Sequence, residues 1–222
     1  MSHSGMLFIL SGSSGVGKST LCKRIMTSIP DVQLSVSYTT RPIRDGETHG
    51  IEYWFVDQSE FRRMIEQDAF LEWAEVYENF YGTPRQELVT RIDQGIDVIL
   101  DVDVQGARNV MKNMPDAVSV FLLPPSLEVL KARLESRGTD KSDVVDRRFQ
   151  KAQAEMAHYV EYDYTIRNGC LDQAIKEFES IIVAEHVRTK RLDHAWMSRH
   201  GLARQESNPV SSRTERERNV IS

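Results

Sequence analysis

The sequence predicts an α/β domain, a parallel sheet flanked by helices, with an inserted mixed α/β subdomain and a polar tail. Three observations predict it. Short apolar runs that read as buried strands alternate with amphipathic helical stretches, the rhythm of parallel strand–helix–strand units. The stretch from about 35 to 95 breaks that rhythm and is rich in aromatic strand-like segments. After Trp196 apolar residues become scarce. The chain has 222 residues, 40% hydrophobic and 27% charged, with a formal net charge of −5. That size and balance fit one soluble domain with insertions, and the charge gives no general attraction to nucleic acid or an anionic membrane.

The elements follow in order. Met6 to Ser11 (MLFILS) reads as a buried strand, and a helix runs from about Gly17 to 28. Leu34 to Tyr38 alternates like a short strand. A polar loop, Thr39 to Gly50, leads to an aromatic strand at Glu52–Val56. Ser59 is placed to cap a helix over 60–67, Phe70–Val76 reads as a strand, and Pro84 opens a helix that Gly95 stops. Ile96–Val102 (IDVILDV) is the second strongly apolar strand, followed by a helix over 104–114 and a strand over 117–123. Pro124-Pro125 ends that strand. Ser126 is an N-cap for a helix whose core face is Leu127, Leu130 and Leu134. Residues 141–160 are charged and helical in pattern, Tyr162–Ile166 is the last strand, and Leu171, Ile175, Phe178 and Ile182 mark a closing helix to about Lys190. Residues 197–222 are read as a disordered tail. The two cysteines, Cys22 and Cys170, lie far apart and outside any metal or redox spacing, so reduced thiols and a cytoplasmic location are expected. No apolar run is long enough to span a membrane. None of the six histidines falls in a zinc spacing, and His49 is given no role.

The first chemical signal is GSSGVGKST, residues 12–20, between the first strand and the first helix. It carries Gly12, Gly17, Lys18 and Ser19 in the order G-x-x-x-x-G-K-[ST]. Glycines keep side chains away so that backbone N–H groups can point at phosphate oxygens, and the helix start adds its positive end. Gly12, Ser13, Ser14, Gly15, Val16, Gly17, Lys18, Ser19 and Thr20 are therefore the expected triphosphate cradle. Lys18 supplies charge between the β- and γ-phosphates, and the Ser19 hydroxyl is a ligand for Mg²⁺. Asp101, at the end of the second apolar strand, suits the metal directly or through water, although a helix-capping role fits the same position. This much specifies a nucleoside triphosphate with Mg²⁺. It does not separate a hydrolase, a switch and a kinase.

A second anion site points to an acceptor other than water. Arg41 and Arg44 share a loop with Pro42 and Gly46, and guanidinium forks suit bidentate phosphate contacts. Tyr53 and Tyr81 can add phenolic hydrogen bonds. A third group, Arg137, Arg147 and Arg148, lies in or beside a polar stretch, Gly138 to Ser142, that can close over a triphosphate.

Several separated blocks together resemble the guanylate kinases. They are Ser35–Glu47 (SVSYTTRPIRDGE), Phe70–Ala74 (FLEWA), Asn79–Thr83 (NFYGT), Ile99–Gly106 (ILDVDVQG) and Leu134–Thr139 (LESRGT), in the family's order over roughly residues 6–190. The resemblance implies a P-loop NTPase-type sheet with a nucleoside-monophosphate-binding insertion and a helical lid. Its bounds are a core of 4–34 and 96–190, an insertion of about 35–95 and a lid of about 137–157. It implies that Arg41, Arg44, Tyr53 and Tyr81 hold the GMP phosphate, and that Ser37, Glu72, Thr83 and Asp103 read guanine, Thr83 standing where a serine is expected. A carboxylate suits guanine because N1–H and the 2-amino group are adjacent donors, which adenine lacks. It further implies a catalytic set of Lys18, Arg41, Arg137 and Arg148, with Arg133 as an additional lid arginine, and Asn168 beside the adenine. The expected reaction is transfer of the ATP γ-phosphoryl to GMP or dGMP, with Mg²⁺ and with ATP and GMP as partners. Two rival readings are a kinase for another phosphorylated acceptor, such as a ribose bisphosphate, and a non-catalytic phosphopeptide-binding scaffold. The intact Lys18 and Ser19 speak against the scaffold.

Overall fold

The computed structural model describes residues 4–76, 78–135, 142–192 and 194–202. Its first strand, β1 (Leu7–Gly12), is wholly buried and runs into α1 (Lys18–Ser28). Next come β2 (Val32–Leu34), β3 (Tyr38–Thr39), β4 (Trp54–Phe55), α2 (Gln58–Glu66), β5 (Phe70–Val76), β6 (Asn79–Pro84) and α3 (Arg85–Asp93). The chain continues through β7 (Asp97–Asp101), α4 (Val104–Asn113), β8 (Val118–Leu123), α5 (Leu127–Glu135), α6 (Ser142–Met156), β9 (Tyr164–Arg167) and α7 (Leu171–His186).

Five strands form a parallel sheet in the order β2-β7-β1-β8-β9. Both faces are buried, as continuous apolar strands require. Phe8 and Leu10 point into one core with Leu21, Ile25, Ile99, Val120 and Phe178. Leu7 and Ile9 alternate into the other with Leu88, Val98, Leu100 and Val110. The C-terminal ends of β1 and β7 open side by side, where α/β sheets place ligands.

A second sheet, β4-β3-β6-β5, carries the insertion. β5 and β6 form an antiparallel hairpin, with Glu72 opposite Thr83 and Trp73 opposite Gly82. Gly82 is required by packing, since a Cβ there would lie 2.8–2.9 Å from the Phe70 and Phe61 rings.

Several local expectations are corrected. The strand read over 34–38 is two strands in two sheets: β2 pairs with β7, and after Ser35 the chain crosses to pair Tyr38 with Gly82. The aromatic strand narrows to Trp54–Phe55. The cap of α2 is Asp57, whose Oδ1 accepts from Glu60 N at 2.8 Å, while Ser59 donates to that same oxygen. Residues 79–84 form a strand that composition hides, because Gly82 and Pro84 break its pattern. Asp103, not Asp101, caps α4, accepting from Gly106 N at 2.8 Å. The closing helix stops at His186 instead of near Lys190.

The chain up to Glu185 forms one compact unit and His186 onward a second. In the second, a 3-10 turn, Thr189–Arg191, precedes α8 (His194–Arg199). That helix enters the stretch read as tail; positions 203–222 lie outside the described residues.

Candidate active site

An open cleft of about 1520 Å³ joins the ends of β1 and β7 to the second sheet and to α6. Its floor is the glycine-rich loop. Gly12, Gly15 and Gly17 have φ of 145°, 85° and 103°, all positive, and a Cβ on Gly17 would sit 2.6 Å from Asn168 Nδ2. Only glycine meets both demands at position 17. Gly12, Ser13, Ser14, Gly15, Gly17, Lys18, Ser19 and Thr20 all line the cleft. Val16 faces inward and is buried, and it anchors the loop. Its carbonyl accepts from Asn168 Nδ2 at 2.9 Å and from Arg133 at 3.0 Å.

Lys18 Nζ donates to Gly12 O at 2.8 Å, so the ammonium already lies across the mouth of the loop. Ser19 Oγ donates to Asp101 Oδ2 at 3.1 Å. Desolvation at the floor of the cleft pushes the Asp101 carboxyl up, partly offset by Lys18 and Ser19. A carboxylate raised in this way has more negative charge than its surroundings compensate, the setting a divalent cation relieves. The two groups together are hard oxygen donors of the kind Mg²⁺ takes alongside water and phosphate. Among the described residues, no group of three or more His, Cys, Asp or Glu side chains converges as a metal site of its own.

Opposite the loop lies a second wall, with Ser37, Arg44, Tyr53, Glu72, Tyr81, Gly82 and Asp103. Glu72 comes from β5 and is buried, and Thr83 Oγ1 on β6 donates to its Oε1 at 2.7 Å. Burial, reinforced by Asp103 and opposed by the Thr83 hydrogen bond, moves the Glu72 carboxyl up to about 7. α4 starts close by. A Cβ on Gly106 would approach Asp103 Oδ1 at 3.3 Å and Glu72 Oε2 at 3.4 Å, so the small residue lets the two carboxylates share one corner. Burial and the Asp101 charge raise Tyr53 to about 12, which keeps its phenol a hydrogen-bond donor. Tyr53 and Tyr81 stack edge to face at 5.9 Å.

Some expected residues sit elsewhere. Arg41 is nearly buried behind the wall, bound to Glu47 through both terminal nitrogens at 2.8 and 2.9 Å. Asn168 and Arg133 brace the phosphate loop from behind instead of lining the cleft. On α6, Arg148 reaches Ser14 Oγ at 3.2 Å, and both Arg147 and Arg148 line the cleft. Arg137 lies outside the described residues. The sequence reading missed Glu47, Val144, Lys151 and Glu155. The last three continue the helical spacing of Arg147 and Arg148 along α6 into the same cleft, a signal available from the sequence.

Comparison with known proteins agrees with this architecture. A family model described as guanylate kinase matches residues 4–185. The guanylate kinase of Syntrophomonas wolfei is 49% identical over 193 residues, covering 87% of this chain and 99% of that protein. That of Carboxydothermus hydrogenoformans is 44% identical over 200 residues, covering 90% and 98%. The crystal structure of guanylate kinase from Anaplasma phagocytophilum superimposes with a TM-score of 0.76 at 32% identity, covering 91% of this chain and 98% of that one. The family match, the identities and the superposition together span nearly the whole chain, and this chain belongs to the guanylate kinase family.

Proposed function

We infer that this chain is an ATP:GMP phosphotransferase, converting ATP and GMP to ADP and GDP, with dGMP as a second acceptor. Family membership supports the reaction. The observation that carries the acceptor is the buried Glu72–Thr83 pair beside Asp103, facing the phosphate loop across one cleft. A hydrolase would use a carboxylate raised to about 7 as the base for water, and the no-acceptor arm of the assay below separates that case. Guanine, with N1–H and its 2-amino group side by side, supplies the two donors the carboxylate lacks.

The assignment of roles is our reading. Residues 12–20 hold the triphosphate, Lys18 neutralises its terminal phosphates, and Arg41, Arg44, Tyr53 and Tyr81 hold the acceptor phosphate. Ser37, Glu72, Thr83 and Asp103 hold the base. Ser19 and Asp101 would hold Mg²⁺, which when bound supplies charge neutralisation on the donor phosphates. The acceptor phosphate is itself anionic near neutral pH, so its oxygen attacks in line without a general base. The protein's task is to align two anions that repel each other and to exclude water, and orientation alone is worth roughly 7–11 kcal/mol in favourable cases. Arg147 and Arg148 on α6 bring further positive charge to the transferring group as the lid, about 137–157, closes. We assign 35–95 to the acceptor half and the remainder of 4–190 to the donor half. No helix among the described residues is long and apolar enough to cross a membrane. A cytoplasmic nucleotide pool is the setting we propose.

The test is ADP formation from MgATP with GMP, dGMP, AMP, CMP, UMP, a ribose bisphosphate or no acceptor. Turnover confined to GMP and dGMP is expected. Equal ADP release without acceptor would make the protein an NTPase, and preference for the bisphosphate would move the acceptor site to another substrate. Binding of GMP without turnover would favour the scaffold.

A further inference from the structure

Glu47 makes contacts that the transfer reaction alone does not explain. It follows a tight turn, Arg44-Asp45-Gly46-Glu47, closed by Glu47 N donating to Arg44 O at 3.1 Å. Gly46 has φ 83°, and a Cβ there would meet nothing within 4 Å, so glycine is needed for the turn and not for space. The turn brings the Glu47 carboxylate back onto both arginines of the loop. Oε1 accepts from Arg41 NH2 at 2.8 Å, and Oε2 accepts from Arg41 NH1 and from Arg44 N, each at 2.9 Å. Those bonds hold the Glu47 carboxyl below its usual range, so it is ionised near neutral pH.

The donor inventory of Arg41 shows what this leaves. A guanidinium has five N–H groups. Both NH1 hydrogens are taken, by Glu47 and by Pro42 O at 2.8 Å, and one NH2 hydrogen goes to Glu47. The edge formed by Nε–H and the second NH2 hydrogen is not taken by Glu47 or Pro42; the Tyr81 hydroxyl also hydrogen-bonds this side chain, and an anion entering there would meet both. The guanidinium also lies over the Tyr53 ring at 5.4 Å and interacts with the Tyr81 hydroxyl, and both tyrosines line the cleft.

We propose that Glu47 is a positioning residue for the acceptor phosphate: it grips the end edge of Arg41 so that the side edge is presented to that phosphate. The proposal rests on the reading of Arg41 as a phosphate ligand. The alternative, in which Glu47 occupies Arg41 in competition with phosphate, predicts the opposite sign. A held guanidinium loses less freedom on binding than a loose one, so the brace strengthens binding of the acceptor.

The test is calorimetric titration with GMP and, separately, with ATP, for the wild type, Glu47→Gln, Arg41→Met and the double variant. Glu47→Gln is expected to weaken GMP by about tenfold while ATP changes by less than about twofold. In the Arg41→Met background the same change is expected to cost little more, because its route through Arg41 is gone. Unchanged or tighter GMP binding in Glu47→Gln overturns the proposal. An equal penalty in both backgrounds overturns it too, since Glu47 then acts without Arg41, and the ATP titration separates this from general unfolding. Binding is measured without turnover, so a wild type that binds GMP but transfers nothing would remove the catalytic reading and leave this result standing.

Discussion

At the scale of single residues, Glu72 carries the most specific prediction. Its carboxyl is pushed up to about 7 from an ordinary value of 4.5, chiefly because it is desolvated, with Asp103 adding to the rise. Between these values the folded protein holds a proton that the unfolded chain releases. That contribution to stability is fully present below about pH 4.5 and is lost as pH rises through about 7. The guanine recognition proposed for Glu72 runs the other way, because only the ionised carboxylate accepts from both N1–H and the 2-amino group. The KM for GMP is therefore expected to rise as pH falls below 7, approaching about tenfold per unit, while the KM for ATP stays flatter. Glu72→Gln should bind GMP weakly with little of this dependence. The GMP phosphate titrates in both proteins, so their difference isolates Glu72. A KM for GMP that follows the same pH profile in both would sink the assignment.

At the scale of elements, the phosphate loop depends on partners remote in sequence. Asn168 leaves the end of β9 and donates to Val16 O, 152 positions away, while Arg133 from α5 reaches the same carbonyl. Asn168→Ala removes a buried donor and opens space against Gly17. It is expected to cost about 1–2 kcal/mol, lowering Tm by a few degrees in a domain of this size. It should raise the KM for ATP more than that for GMP, because the loosened element holds only the donor. Thermal melting and steady-state kinetics check this; a larger effect on GMP would mean that Asn168 does not act through the loop. Asn168 marks a limit of what the chain makes legible. The G-x-x-x-x-G-K-S order is readable because its meaning is local: a strand, a turn without side chains, and a helix start. The corner holding Glu72 and Asp103 is readable only through the family resemblance, since Glu72 alone, between Leu71 and Trp73, reads as the solvent face of a strand. Their sharing of one corner depends on Gly106 and on the register that sets Glu72 opposite Thr83. The brace on Val16 is silent, because an asparagine after a strand looks like any turn residue until the fold brings it home.

At the scale of the whole molecule, the parallel sheet is legible because its strands are apolar on both faces, and the second sheet only in part: the aromatic strand and Phe70–Val76 are read, its pairing and the strand over 79–84 are not. Two of its strands are two residues long, and another contains Gly82 and ends at Pro84, so pairing decides their conformation. The chain crosses between the sheets after Ser35, whose N–H still bonds Ile99 O, and three residues later it is paired in the other sheet. This crossing sets the second sheet opposite the glycine-rich loop within one compact unit that ends at Glu185. Among the described residues, every one that lines the cleft lies at or before Glu155, the brace on the loop comes no later than Asn168, and the family match ends at 185. The chemistry is therefore expected to survive loss of the last twenty positions. A chain ending at Leu202 should keep kcat and both KM values within about twofold of the full-length protein, since substitutions remote from a site seldom change it by more than a few tenths of a kcal/mol. Parallel kinetics on the two proteins, with melting curves to confirm equal folding, decide the point. A loss of kcat at unchanged Tm would assign positions 203–222 a part in the transfer itself, and the cleft formed by residues 12–155 would then be an incomplete active site.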